Sequence, residues 1–466
     1  MREEKTNWKK YIALVVGILL LLTAIFFGEN PIFKKLQTGD SQISDDYVLA
    51  KANLPVLAKM PIEKDFTKGD GELDFEAYDK EYKKWSESQK QLQAQSDDYY
   101  KGFQQFLRVI NPQLLKEATK ENKVYSPLNI YLAMSMLAET TAGNSRQEIL
   151  DFLKTDNIES VRNNSRDLWK ESYQDDGRHT SILANSIWLR DGQKYKQETL
   201  DILAKEYYTS IFSGTMGDPK YNNQIQTWVN ENTKGLLKDE AGQLKFDDET
   251  IMAIVSTIYY DGAWTNEFSQ REDGVFHALD SDINTTFMKQ KETGNLYWGD
   301  NFKAYRKALK EAGSMWVIVP DKNSNTTDVI TNNQLYDMLD STEYKNMKSM
   351  DVTLTMPKFD TTSDLNLIET MKTLGVKDVF DESSSDFSNL SDMEKLIVSE
   401  IKHTARVKVD EKGLEAAAFT SIITPTSAPP MELEEIELKA DKPFIFVITN
   451  DEGRALFSGI INNPNK

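Results

Sequence analysis

The chain has 466 residues, 39% hydrophobic and 28% charged with 8 Trp, which is ample material for a sizeable core in one large domain or two and excludes overall disorder. Its formal charge of -19, from 74 acidic against 55 basic residues, argues against a nucleic-acid partner, whose phosphates demand a basic face. Cysteine is absent, so disulfides, thiol nucleophiles and thiolate metal sites are excluded and stability must come from packing.

Residues 11–28, YIALVVGILLLLTAIFFG, hold no charge between Lys10 and Glu29; 18 residues at a helical rise of about 1.5 Å reach about 27 Å, enough to cross a bilayer. No small-x-small pair stands near Thr23–Gly28 to mark a cleavage site, so the segment is expected to stay as a transmembrane signal-anchor, with a secreted form as the alternative. Arg2, Lys5, Lys9 and Lys10 precede the span and only Lys34 and Lys35 follow closely. That asymmetry places residues 1–10 in the cytoplasm and the body outside, as a single-pass protein of the cell membrane. Residues 29–98 are polar and read as a stalk. Within it Phe75, Tyr78, Tyr82 and Trp85, with Leu92 beyond, put an aromatic stripe on one helical face, which either packs on the body or serves self-association or a partner.

From residue 99 to 466 a compact domain is expected. Phe103, Phe106, Leu107 and Ile110 form an apolar helical face that ends before Pro112. Ser126 is placed to cap a helix with Pro127 at its first position. Leu183–Leu189 reads as a strand, and Ile251–Tyr260, followed by Gly262 and Trp264, as a strand buried on both faces. There are three histidines, His179, His277 and His403, and none stands in H-E-x-x-H spacing. Neither a G-x-S-x-G elbow nor a phosphate loop is present, so nothing supports an enzyme, a metal site or a cofactor. A lone histidine between Ile401 and Val407 is most often a hydrogen-bonded core residue.

The stretch Glu411–Pro430, EKGLEAAAFTSIITPTSAPP, is neither a good helix nor a good loop. Gly413 can serve as a hinge; Ala416, Ala417 and Ala418 follow, Phe419–Thr424 is strand-capable, and Pro425, Pro429 and Pro430 bar regular pairing at the end. In a strand starting after Gly413, Leu414, Ala416, Ala418 and Thr420 face one side, while Glu415, Ala417, Phe419 and Ser421 face the other. The first face carries no charge and suits burial, so the segment can be exposed in one state and inserted in another.

E-K-G-x-E-A-A-A-x-T resembles the hinge of the serpin reactive-centre loop. Ala440–Phe446, Leu456–Gly459 and Asn463-Pro464 resemble the serpin tail. Asn122–Ile130 with Gly143–Glu148, Ile225–Val229 with Thr233 and Gly235, Ile251–Trp264, and Met356–Phe359 with Leu374-Gly375 and Asp386–Ser388 are similar to the intervening family segments. Gln226, Ser256 and Thr404 depart from the usual family residues. The resemblance implies an α+β serpin fold over about residues 99–466: three β-sheets surrounded by about eight or nine helices, with an exposed reactive-centre loop.

For function, the resemblance implies a serine-type endopeptidase inhibitor, not an enzyme, of a membrane-anchored and bacterial kind. It acts as a suicide substrate whose cleaved loop inserts into the central sheet and traps the acyl-enzyme. The hinge comprises Glu411, Gly413, Leu414, Glu415, Ala416, Ala417, Ala418 and Thr420. A shutter that holds the sheet closed draws on Ser126, Asn129, Ser256 and His403. Counting from Glu411 in the family register puts the reactive bond at Ser427–Ala428, with Thr426–Ser427 as the neighbouring option. Such small residues suit an elastase-like or subtilisin-like protease, met by a monomer that needs no cofactor. Leu414 stands where inhibitory serpins usually carry Thr or Ser, so insertion is expected to be slowed, not blocked. The alternative is a non-inhibitory serpin that binds or carries a ligand.

Overall fold

Alternating and wholly apolar runs become strands of two large sheets. The structure, a computed structural model, describes residues 43–69, 71–93, 96–116, 120–341, 343–393, 395–414 and 433–466. The first sheet contains β1 (Val48–Ala50), β3 (Gln174–Asp175), β4 (Thr180–Arg190), β5 (Thr209–Gly214), β6 (Met252–Ala263), β12 (Phe359–Asn366), β13 (Glu400–Val409) and β14 (Gly413–Leu414). Its order is β1-β5-β4-β6-β14-β13-β12, with β3 paired to β4. The second contains β2 (Lys123–Tyr125), β7 (Gln270–His277), β8 (Asp282–Trp298), β9 (Phe302–Ala308), β10 (Ser314–Pro320), β11 (Met347–Pro357), β15 (Glu435–Lys439), β16 (Phe444–Thr449) and β17 (Ala455–Ile461). Here the order is β15-β11-β8-β9-β10-β16-β17-β2, with β7 paired to β8.

The three sheets expected therefore count as two ladders among the described residues. The cause is β8: its 17 residues pair with β7 and β11 along most of their length and with β9 at Leu296–Trp298, so one strand joins what would otherwise be separate sheets. Eleven α-helices surround the sheets among the described residues, eight of them at least eight residues long. The helix Pro127–Thr140, apolar all round but for Asn129, Ser135, Glu139 and Thr140, is buried at every position and packs against β6 and β17. Ser126 caps it as expected, its Oγ accepting from Asn129 N at 3.1 Å.

One helix runs past its expected end. Lys101–Leu115 continues through Pro112, although proline lacks the N–H for the bond back to the previous turn. Burying Leu114 and Leu115 on the last turn, together with the Lys116 N bond to Pro112 O at 3.1 Å, offsets that loss.

Residues Asp45–Lys466 form one compact unit, so the described part of the segment read as a stalk belongs to the body. β1 extends the first sheet by pairing with β5. In the helix Phe75–Gln89 the stripe does pack: Trp85 Nε1 donates to Asp176 Oδ2 at 2.6 Å, and Arg178 lies 5.0 Å over the Trp85 ring. Phe75, at its first turn, is exposed.

The expected membrane localisation is corrected. Among the described residues no helix is long and apolar enough to cross a membrane. Residues 11–28, on which that expectation stood, lie outside the described residues.

Candidate functional site

The site is a gap between two central strands, headed by the hinge. At one end β6 and β13 pair directly and in parallel, Glu400↔Ala253 through His403↔Ser256. Towards the other end they part, and Gly413–Leu414 enters between them, antiparallel to both: Gly413↔Ala263 and Leu414↔Gly262 on one side, Leu414↔Val409 on the other. Residues 257–261 of β6 and 404–408 of β13 lie between these two points. Each run is fully paired on its outer edge, to β4 and to β12 respectively. On the inner edges no ladder joins them among the described residues. An inner edge of this kind is where a further strand can add its ladder to a sheet.

Leu414 is 3% exposed, so its bulk is already housed on the core face. Gly413 is extended, within β14, and the chain reversal is made by the residue before the expected hinge. Asp410 Oδ1 accepts from Lys412 N at 2.8 Å and Gly413 N at 3.2 Å, an Asx-type turn. The segment is then fastened to the turn after β6. Trp264 N donates to Lys412 O at 2.8 Å, Phe268 N to Glu411 O at 3.0 Å, and Trp264 Nε1 to Asp410 O at 2.9 Å. Arg271 Nε stands 2.7 Å from the Glu411 carboxylate. Beneath the two rings lies Lys307, buried, its Nζ 4.6 Å from the Phe268 ring centre and 3.1 Å from Glu292 Oε1. Burial pulls its pKa below the usual lysine range, against the opposing pull of Glu292.

The four expected shutter residues are all buried and fall into two linked groups. His403 Nε2 accepts from Ser126 N at 2.9 Å, and Ser126 in turn holds Asn129. Ser256 Oγ donates to Asn185 Oδ1 at 2.8 Å. The groups meet where His403 lies beside Ser256 across the β6–β13 pair. Because Nε2 accepts, the neutral ring carries its proton on Nδ1, which has no hydrogen-bonding partner in this buried site. Desolvation pushes the His403 pKa down to about 4. The Asn129 side-chain amide is also buried without a partner. Thr404 donates through Oγ1 to Asp364 Oδ1 at 2.9 Å, which ties β13 to β12.

Sequence reasoning missed Asn185, Asp410, Arg271 and Lys307. For Asn185 a signal existed, a polar amide in the apolar run Leu183–Leu189, and for Asp410 another, an Asp shortly before Gly413 that suits an Asx-type turn; Arg271 and Lys307 depend on contacts between distant segments. Glu415, Ala416, Ala417, Ala418, Thr420, Thr426, Ser427 and Ala428 lie outside the described residues.

A family model described as Serpin (serine protease inhibitor) matches residues 104–464. The chain is a serpin. It is 26% identical over 370 residues to plasminogen activator inhibitor 1 of Sus scrofa, covering 76% of this chain and 89% of that one. Among solved structures it is similar to tengpin, a thermophilic serpin, in its native state, with a TM-score of 0.70 and 24% identity over 80% of this chain and 96% of that one. It is similar also to human thyroxine-binding globulin, with a TM-score of 0.69 and 21% identity over 78% of this chain and 99% of that one. The proteins it is similar to thus include both an inhibitor and a thyroxine-binding globulin.

Proposed function

We propose that this serpin inhibits serine proteases as a suicide substrate and that the gap between β6 and β13 receives its cleaved loop. The observation that carries the reading is the seat of Gly413–Leu414 at the head of the gap, antiparallel to both flanking strands. Continued in that register, Ala416 falls beside Tyr260 and Val407, Ala418 beside Ile258 and Ala405, and Thr420 beside Ser256 and His403. Ala416 and Ala418 then share the core face with Leu414, and their small uncharged side chains suit burial there. Glu415 falls beside Lys408 on the opposite face. From Thr420 onward the incoming strand must separate the β6–β13 pair, beginning at His403↔Ser256, which gives Ser126, Asn129, Ser256 and His403 their role as a shutter.

Insertion adds ladder bonds of about 1 kcal/mol net each, so about a dozen residues favour it by on the order of 10 kcal/mol before ordering is counted. The protease serine attacks the Ser427 carbonyl, the bond to Ala428 breaks, its amine leaves, and the acyl-enzyme is carried away by the inserting strand before water completes the hydrolysis. Cutting at Thr426–Ser427 is the neighbouring option. No Lys or Arg lies between Gly413 and Lys439, which favours elastase-like or subtilisin-like enzymes over trypsin-like ones.

Mixing the protein with a panel of such proteases should give an SDS-resistant adduct of the summed mass. Cleaved product without adduct, at every stoichiometry and with every protease, would replace this reading with the carrier alternative, which Leu414 at a hinge position favours.

A further inference from the structure

A separate hollow lies where the N-terminal segment crosses the body. Its walls come from five places in the chain: Met60–Glu63, the helix Phe75–Gln89 through Tyr78, the β3–β4 turn at Arg178, the end of β6 at Ala263, and the β9–β10 turn at Lys310 and Glu311. The cavity measures about 280 Å³. That is the small end of ligand pockets and suits one ring with a short tail.

The lining sorts by chemistry. Met60, Pro61, Ile62 and Tyr78 form an apolar wall, and Tyr78 begins a run of rings continued by Tyr82 and Trp85 at centre distances of 6.1 and 5.1 Å. Ile62 is 53% exposed, apolar surface left for a ligand to cover. Both cations at the rim are already engaged. Arg178 Nε is 2.8 Å from Asp176 Oδ2, with its guanidinium over Trp85, and Lys310 also has an interaction partner. The two acids are not so engaged: Glu63 and Glu311 are exposed and enter no ion pair among the described residues. Glu311 moreover holds φ 52, a left-handed backbone that glycine adopts more cheaply.

We propose that this cavity binds a small hydrophobic amine, its apolar body against Tyr78 and Ile62 and its ammonium at the rim beside Glu63 and Glu311. Ala263, one wall of the cavity, pairs with Gly413 at the head of the β6–β13 gap, so a bound amine braces the N-terminal segment against the point where the hinge is seated. The site does not depend on whether the loop inserts.

The test is a ligand-observed NMR titration of the full chain with phenethylamine, phenethyl alcohol and phenylpropionate, three molecules of one shape with positive, neutral and negative heads. Phenethylamine is expected to bind with a dissociation constant of about 0.1–1 mM, given its few atoms. The neutral alcohol should bind several-fold more weakly and the acid more weakly again. The double variant Glu63→Gln/Glu311→Gln should weaken the amine by about fivefold, the scale of exposed charge contacts, and leave the alcohol unchanged. Ile62→Asn, which removes apolar wall without adding charge, should weaken both the amine and the alcohol. Absence of amine binding up to about 10 mM, or an amine preference that survives in the double variant, overturns the proposal.

Discussion

Protonating His403 should unfasten the junction between β6 and β13. Its folded pKa of about 4 lies below the ordinary histidine value of 6.5, because the ring is fully buried. Between those values the unfolded chain binds the extra proton, so the contribution of His403 is complete above pH 6.5 and is lost as pH falls towards 4. At pH 5 the loss amounts to about 2 kcal/mol relative to pH 8. A proton on Nε2 also turns the acceptor for Ser126 N into a donor facing a donor. Other groups shifted by burial contribute as well, among them Glu231, Asp340 and Glu400, all raised. His179, mostly buried, is likewise pushed down to about 4 and adds to the loss; Glu171, raised by burial to about 7, opposes it, because its folded carboxyl gains a proton first. The bare pH curve is therefore a sum, and the His403 part is isolated by comparison with His403→Gln, whose amide reaches the place of Nε2 without titrating. Urea unfolding from pH 8 to pH 5 should cost the parent about 2 kcal/mol more than the variant. The ring Cε1–H resonance of His403 should titrate near pH 4. A midpoint above about 6, or equal pH slopes in the two proteins, would refute the claim that a neutral, desolvated imidazole holds this junction.

Nicking the chain between Thr426 and Ala428 should raise the melting temperature by at least about 10 °C, since the freed strand adds its ladder bonds; a nicked form that melts no later than the intact one removes the insertion mechanism. Ala418→Arg puts a charge beside Ile258 and Ala405 on the core face, and should cut the yield of SDS-resistant adduct by more than about tenfold while cleavage continues, as read on a gel. Lys307→Ala leaves half-buried Glu292 without its cation and should cost about 3 kcal/mol in urea unfolding, whereas Lys307→Met, which keeps the volume, is paired with Glu292→Leu to recover most of it.

The sequence by itself determined the family segments, the buried β6, the capped helix after Ser126 and the chemistry of the hinge, because each is written in local periodicity or in residues close together in the chain. Through resemblance it also grouped Ser126, Asn129, Ser256 and His403; in the structure His403 bonds to Ser126 N and lies beside Ser256 across the β6–β13 pair. Only the tertiary structure decided that Ser256 bonds to Asn185 and not to His403, that Asp410 makes the reversal ahead of Gly413, and that Leu414 is already seated. The first and the last turn on which residues the strand register brings face to face, over separations of many tens of residues; the Asp410 turn is local in its bonds and is held in place by Trp264 and Phe268 from the distant turn after β6. The same holds for the N-terminal segment, whose polar composition reads as a tether but whose Trp85 finds the buried carboxylate of Asp176. Local composition is blind to a partner 91 residues away, and it is such distant pairings that set where the gap opens and what guards it.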